Sequence, residues 1–160
     1  MTTYDHAHER SLFLSDQQQK LLTAVVDRII PPVDGLPGTG ELGVAEHVEG
    51  ISGVSTQGRS LLANGLKAIE ATSDRSHSKA FADLSNDQKT DVLREVESQY
   101  EKFFKALVQE TYSGYYSHPA VLRAKKLPLS APQPVGYEVE PFDMSLLEPV
   151  RNRGKAYRDA

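Results

Sequence analysis

Apolar residues recur along this chain in two firm runs, each opened by the same polar signature. In the first, Leu21, Leu22, Val25, Val26 and Ile29 keep helical spacing. Just upstream, Ser15-Asp16-Gln17-Gln18 has the form of a capping box. The Ser15 hydroxyl is placed to accept from the third-residue amide, and Gln18 to reach back to the cap. Leu14 stands at the staple position. Pro31-Pro32 must end this helix, because proline lacks the N–H donor and constrains the residue before it. In the second run, Leu84 and Ser85-Asn86-Asp87-Gln88 repeat the same opening. The stripe Leu93, Val96, Tyr100, Phe103, Phe104, Leu107, Val108 and Thr111 then predicts one long helix ending near Gly114, a residue suited to a left-handed C-cap. The shared Leu-Ser-x-x-Gln is recurrent capping chemistry, not a sign of an internal repeat.

Weaker patterns lie between these runs. Val44, Val48 and Ile51 predict a short helix over Val44–Ile51. Leu61, Leu62, Leu66 and Ile69 predict another from Gln57 to Ala71, although Gly58 and Gly65 each cost about 1 kcal/mol relative to alanine. Residues 33–42 read as a Gly/Pro loop and residues 72–80 as a polar connector. From residue 128 the composition changes: Pro128, Pro132, Pro134, Pro141 and Pro149 exclude a continuous helix. Tyr137, Val139, Phe142, Leu146 and Leu147 are more apolar than a purely solvated tail needs. The expectation is an all-α protein: a compact bundle of about four to six helices with a long extended Pro-rich C-terminal tail. The division is a flexible N-terminus over 1–12, a helical domain over 13–127, and a tail over 128–160 that wraps its own domain or a partner.

Length and charge narrow the function. A chain of 160 residues suits one domain. A net charge of −4 argues against a nucleic-acid partner and against docking on an anionic membrane. The absence of cysteine excludes disulfides, thiolate catalysis, Fe–S ligation and covalent c-type haem. No run approaches the roughly 20 apolar residues that span a bilayer, so no direct membrane insertion is expected. The N-terminus shows no basic segment followed by an apolar run and no twin arginine. A cytoplasmic protein is therefore expected, with export to the periplasm alongside a partner as the alternative.

Candidate chemistry is sparse. His6 and His8, with Asp5 and Glu9, have chelating types, but such terminal pairs are more often adventitious than native. His47 reads as a satisfied or surface histidine, and His77 as solvated. Metalloprotease, two-histidine-one-carboxylate and zinc-finger spacings are missing. Neither a nucleophile elbow nor a P-loop is present. Gly35, Gly38 and Gly40 follow a helix and a Pro-Pro, which is the wrong context for a phosphate cradle. Glu95 and Glu97 fall on different helix faces. No catalytic, cofactor-binding or metal-binding residue is assigned.

The unusual segment is Tyr112-Ser113-Gly114-Tyr115-Tyr116-Ser117-His118-Pro119. Three of the seven tyrosines lie within five residues. Tyrosine has a large apolar face and a polar tip, so the cluster suits a helix end packed on its own domain, an interface anchor, or a contact to a substrate in a partner's pocket.

Several short motifs then occur in order. They are Phe13-Leu14-Ser15-x-x-Gln18, Ile29-Ile30-Pro31-Pro32, Gly43-Val44-Ala45, Phe81-x-x-Leu84-Ser85-x-x-Gln88, Phe103-Phe104, Thr111-x-x-Gly114-Tyr115-Tyr116-Ser117-x-Pro119 and Gly136-Tyr137. Over residues 13–137 this set resembles the gluconate 2-dehydrogenase subunit 3 family. The resemblance implies a non-catalytic small subunit that holds no flavin. Its partner would be a large FAD-dependent subunit of the glucose-methanol-choline (GMC) oxidoreductase type, oxidising a sugar, sugar acid or related alcohol. The small subunit would assist that partner's folding, stability or export, in some complexes beside a haem-bearing third subunit, and a higher-order heteromer is compatible with this. Many members carry a twin-arginine signal, which is not visible here. The expected partner interface comprises Tyr112, Tyr115, Tyr116, His118 and Pro119, with Gly136, Tyr137 and Phe142 of the tail. Two other readings stay open: a subunit lending residues to a shared substrate pocket, and a free-standing helical protein-binding module.

Overall fold

In the computed structural model, residues 12–33, 35–125 and 144–153 are described. Helix α1 spans Asp16–Ile29 and begins with the predicted capping box: Ser15 accepts from the Gln18 amide, and the Gln18 side chain accepts from the Ser15 amide. Helix α2 spans Val44–Ser52, α3 Thr56–His77, α4 Asn86–Gln99, α5 Glu101–Ser117 and α6 Pro119–Ala124. Ser85 and Gln88 form the second capping box, at the start of α4. An isolated bridge between Val33 and Leu36 is the nearest approach to β-structure among the described residues. The all-α expectation holds.

Helix α5 packs against α1, α2, α3, α4 and α6, and α2 fills the space between α1, α3 and α5. The core contains Leu22, Val25, Val26, Val48, Leu66, Ile69, Val92, Val96, Phe103 and Leu107. Burial of such side chains is the main favourable term, at roughly 1.5–3 kcal/mol for each large aliphatic or aromatic residue.

Several expectations are corrected. The predicted helix from Ser85 to Gly114 is two helices, broken at Tyr100, whose backbone (φ −128°, ψ 48°) leaves the helical region. A straight rod over residues 86–117 would be about 48 Å long, against a small-domain diameter of about 30 Å. The break turns the chain so that Val92, Leu93 and Val96 and then Phe103 and Leu107 all reach one core, while Tyr100 is left 45% exposed. Helix α5 also runs through Gly114, which is buried and is no cap. It stops at His118-Pro119 instead, because a residue before proline is pushed to extended geometry, and His118 has φ −70° and ψ 131°.

Helix α3 continues to His77, so the expected connector over 72–80 is largely helical. Thr72 and Ser73 are buried, and the Ser73 hydroxyl donates to the Lys79 carbonyl at 2.9 Å. The turn comes at Ser78, in the left-handed region at φ 50°. Within the expected extended tail, Met144–Leu147 form a 3₁₀ turn and Glu148–Asn152 the short helix α7. Pro149 is tolerated there because the first helical turn needs no N–H donor. Gly136, Tyr137, Phe142, and the pair His6 and His8 lie outside the described residues, as does residue 127, where the helical domain was expected to end.

The helical glycines have packing roles that propensity alone obscures. A Cβ at Gly65 would lie 2.2 Å from the Phe103 ring, so α3 and α5 reach their spacing only without it. A Cβ at Gly58 would lie 2.4 Å from the Ser52 carbonyl oxygen, where the chain doubles back from α2 into α3.

Candidate partner-binding surface

The loop after α1 is fixed from within. Asp27, in the last turns of α1, accepts from the Gly40 amide at 2.6 Å and from the Thr39 hydroxyl at 2.9 Å. A Cβ at Gly40 would lie 2.5 Å from the Asp27 carboxylate. The glycines therefore let the backbone close on a carboxylate of the chain itself, which takes the place that an anion would need. Gly43 then turns left-handed (φ 64°) and caps α2.

At this end of α2, helices α2 and α5 come very close. Gly114 faces His47, and a Cβ there would sit 2.7 Å from the imidazole. His47 Nε2 is 3.9 Å from the Glu110 carboxylate, one turn earlier on α5. His47 is thus not isolated; among the described residues no three His, Cys, Asp or Glu side chains gather as a metal site would need.

The tyrosine segment divides between core and surface. Tyr115 is 1% exposed, and its hydroxyl donates to the Pro37 carbonyl at 3.0 Å, tying α5 to the Gly/Pro loop. Burial, and secondarily the neighbouring Tyr116, raise its pKa above the ordinary tyrosine value of 10.0. Tyr115 is therefore a core residue and is removed from the set of surface anchors. Tyr112 and Tyr116 lie one residue further round the helix and are each 44% exposed. Their rings stack at 5.8 Å, Tyr116 meets Tyr115 edge-on at 5.1 Å, and the Lys125 ammonium lies 5.7 Å from the Tyr116 ring centre. The His118 side chain accepts from the Ala120 amide at 3.2 Å and so caps α6, with Pro119 in the first turn.

Where the start of α2 meets the end of α5 is an open groove of about 450 Å³, bordered by Leu12, Leu42, Gly43, His47, Ser117 and His118. It carries Glu46 in the first turn of α2 and no lysine or arginine. A carboxylate at a helix N-terminus occupies the position that a diphosphate would favour. The groove is therefore a poor fit for a dinucleotide.

Residues 16–130 match the sequence model of gluconate 2-dehydrogenase subunit 3. The chain belongs to that family. No curated protein and no solved structure matches it. In this subunit 3 chain three of the ordered motifs meet in space. The Pro31–Gly43 loop, the start of α2 and the Gly114–Pro119 turn form one corner, joined by Tyr115 to Pro37 and by Gly114 to His47.

Sequence reasoning missed Glu49. It is fully buried in α2 and accepts from the Phe13 amide (2.5 Å), the Leu14 amide (2.6 Å) and the Gln19 side-chain amide (2.7 Å). The signal was present: Glu49 follows Ala45 by one turn and Val48 by one residue, on the apolar face of the helix. The membrane expectation has one direct reading: among the described residues no helix is long and apolar enough to cross a bilayer.

Proposed function

We propose that this chain is the non-catalytic small subunit of a flavin-dependent sugar or sugar-acid dehydrogenase, stabilising a large FAD-bearing subunit of the GMC type. Membership of the subunit 3 family carries the reading. The stacked, half-exposed Tyr112 and Tyr116, at the end of α5, support it physically. Aromatic side chains with one wet edge are favoured anchors at protein interfaces. The flavin belongs to the partner in this reading, and the poor diphosphate fit of the groove on this chain agrees with that. A stable complex buries roughly 1,200 Å² or more of surface. Binding the folded flavoprotein and not its unfolded form then stabilises it by mass action.

The test is co-expression of the tagged full chain with the large subunit, recording yield, flavin absorption and melting temperature. The large subunit made without this chain is expected to be less soluble or to lose flavin. Equal yield, flavin content and melting temperature with and without it overturn the proposal. Tyr116→Ala is expected to weaken the complex and leave turnover per assembled complex unchanged. A fall in turnover within intact complexes would favour the shared-pocket reading instead.

A further inference from the structure

The seam between α2 and α5 opens a second groove, towards the C-terminal end of α2. It holds about 180 Å³ and is walled by Val48, Leu62, Phe103 and Leu107. A cavity of about 150 Å³ accommodates a benzene ring, so this groove fits one aromatic or leucine-sized side chain. At its mouth Ile51 is 41% and Leu61 36% exposed, and Val54, in the adjoining turn from α2 to α3, is 83% exposed. Single exposed apolar residues are ordinary on a surface. Two lining one apolar groove, with a third in the adjoining turn, form a patch of the kind that marks an interaction site. Glu110 is the one ionisable residue among those lining the groove. It also faces His47 at 3.9 Å, so the pair marks the boundary with the groove at the other end of α2.

We propose that this groove is a second docking point for the large subunit. The partner would insert one bulky apolar side chain, with a lysine or arginine beside it paired to Glu110. The volume sets the size of the inserted group. The lone carboxylate sets the sign of its neighbour, because an apolar anchor carrying an acid there would meet like charge. A carboxylate accepts at both oxygens, so a partner cation can join on the side away from His47. The proposal rests on the accessory-subunit reading above and adds to it the groove at the C-terminal end of α2.

The experiment uses the full chain and the flavoprotein recovered with it. Binding is measured by biolayer interferometry at low and high salt, for the wild type, Leu61→Glu, Val54→Glu and Glu110→Lys. Val54 and Leu61 are exposed, so matching melting temperatures of the isolated variants show that the fold is retained. Leu61→Glu is expected to weaken binding at least tenfold. Glu110→Lys should do the same at low salt and less at high salt, since screening removes the repulsion. If the wild type binds and all three variants bind within about twofold of it, the groove is not used; the accessory-subunit reading then stands without it. If the wild type does not bind, the accessory reading fails and the proposal with it. If the isolated wild type sediments as a dimer that Leu61→Glu splits, the occupant is a second copy and the assignment to the large subunit is overturned.

Discussion

Replacing Glu49 with alanine removes the acceptor for three N–H groups at once. Two are the amides of Phe13 and Leu14, which hold the entering chain against α2, and the third is the Gln19 side chain. Each bond contributes about 1 kcal/mol net, and a donor left unsatisfied costs about 1–3 kcal/mol when water cannot reach it. The donors are only partly buried, so rehydration offsets some of that penalty, as does relief from burying a carboxyl group. A loss of about 3 kcal/mol follows, a large share of the 5–15 kcal/mol typical of a domain. Glu49→Gln separates charge from geometry. Its remaining oxygen still accepts from the backbone, and its new amide faces Gln19. The Gln19 Oε1 atom is buried without a partner, so rotating that amide by half a turn restores a hydrogen bond. The cost should then fall to about 1 kcal/mol, the difference between charge-assisted and neutral bonds. Urea denaturation measures both, read as midpoint shifts at unchanged slope. Amide exchange at Phe13 and Leu14 should accelerate in the alanine variant well beyond the global change. A shift below about 0.5 kcal/mol for Glu49→Ala, with exchange at those two amides unaltered, would refute the argument.

Gly65→Ala raises helix propensity but drives a methyl group into the Phe103 ring. The overpacking should prevail, with a net loss of about 1–3 kcal/mol in the same denaturation assay. A second substitution that shrinks Phe103 to leucine should recover part of that loss. Tyr115 makes stability depend on alkaline pH. Its folded pKa is raised by burial and then by Tyr116, so the unfolded chain gives up the proton first. Its stabilisation is complete below about pH 10 and is lost as pH rises through the raised folded value. Melting temperatures across that window should fall for the wild type. They should fall less steeply for Tyr115→Phe, which also loses about 1 kcal/mol at neutral pH with the bond to Pro37.

Local chemistry was the legible part of this chain. The two serine-glutamine boxes and Pro31-Pro32 act within a few residues, and each set a helix boundary as read. Features that depend on a neighbouring element were not legible. The break at Tyr100 involves no proline or glycine; it follows from how α4 and α5 share one core. Gly114 has the sequence appearance of a cap, yet its reason is an imidazole supplied by α2. The split among the tyrosines was within reach: Phe103, Leu107, Thr111 and Tyr115 are each four apart and buried, while Tyr112 and Tyr116 fall one position outside that line.

The buried carboxylate of Glu49 also fixes where the chain enters the fold. Because Phe13 and Leu14 are held to α2 through their backbone, Leu12 is delivered to the border of the groove beside His47 and His118. Any polypeptide joined ahead of residue 12 must start at that corner, whatever its own sequence. An affinity tag or reporter fused directly ahead of residue 12 would compete for space with anything entering the groove beside His47 and His118, and lengthening the linker would be the way to relieve it.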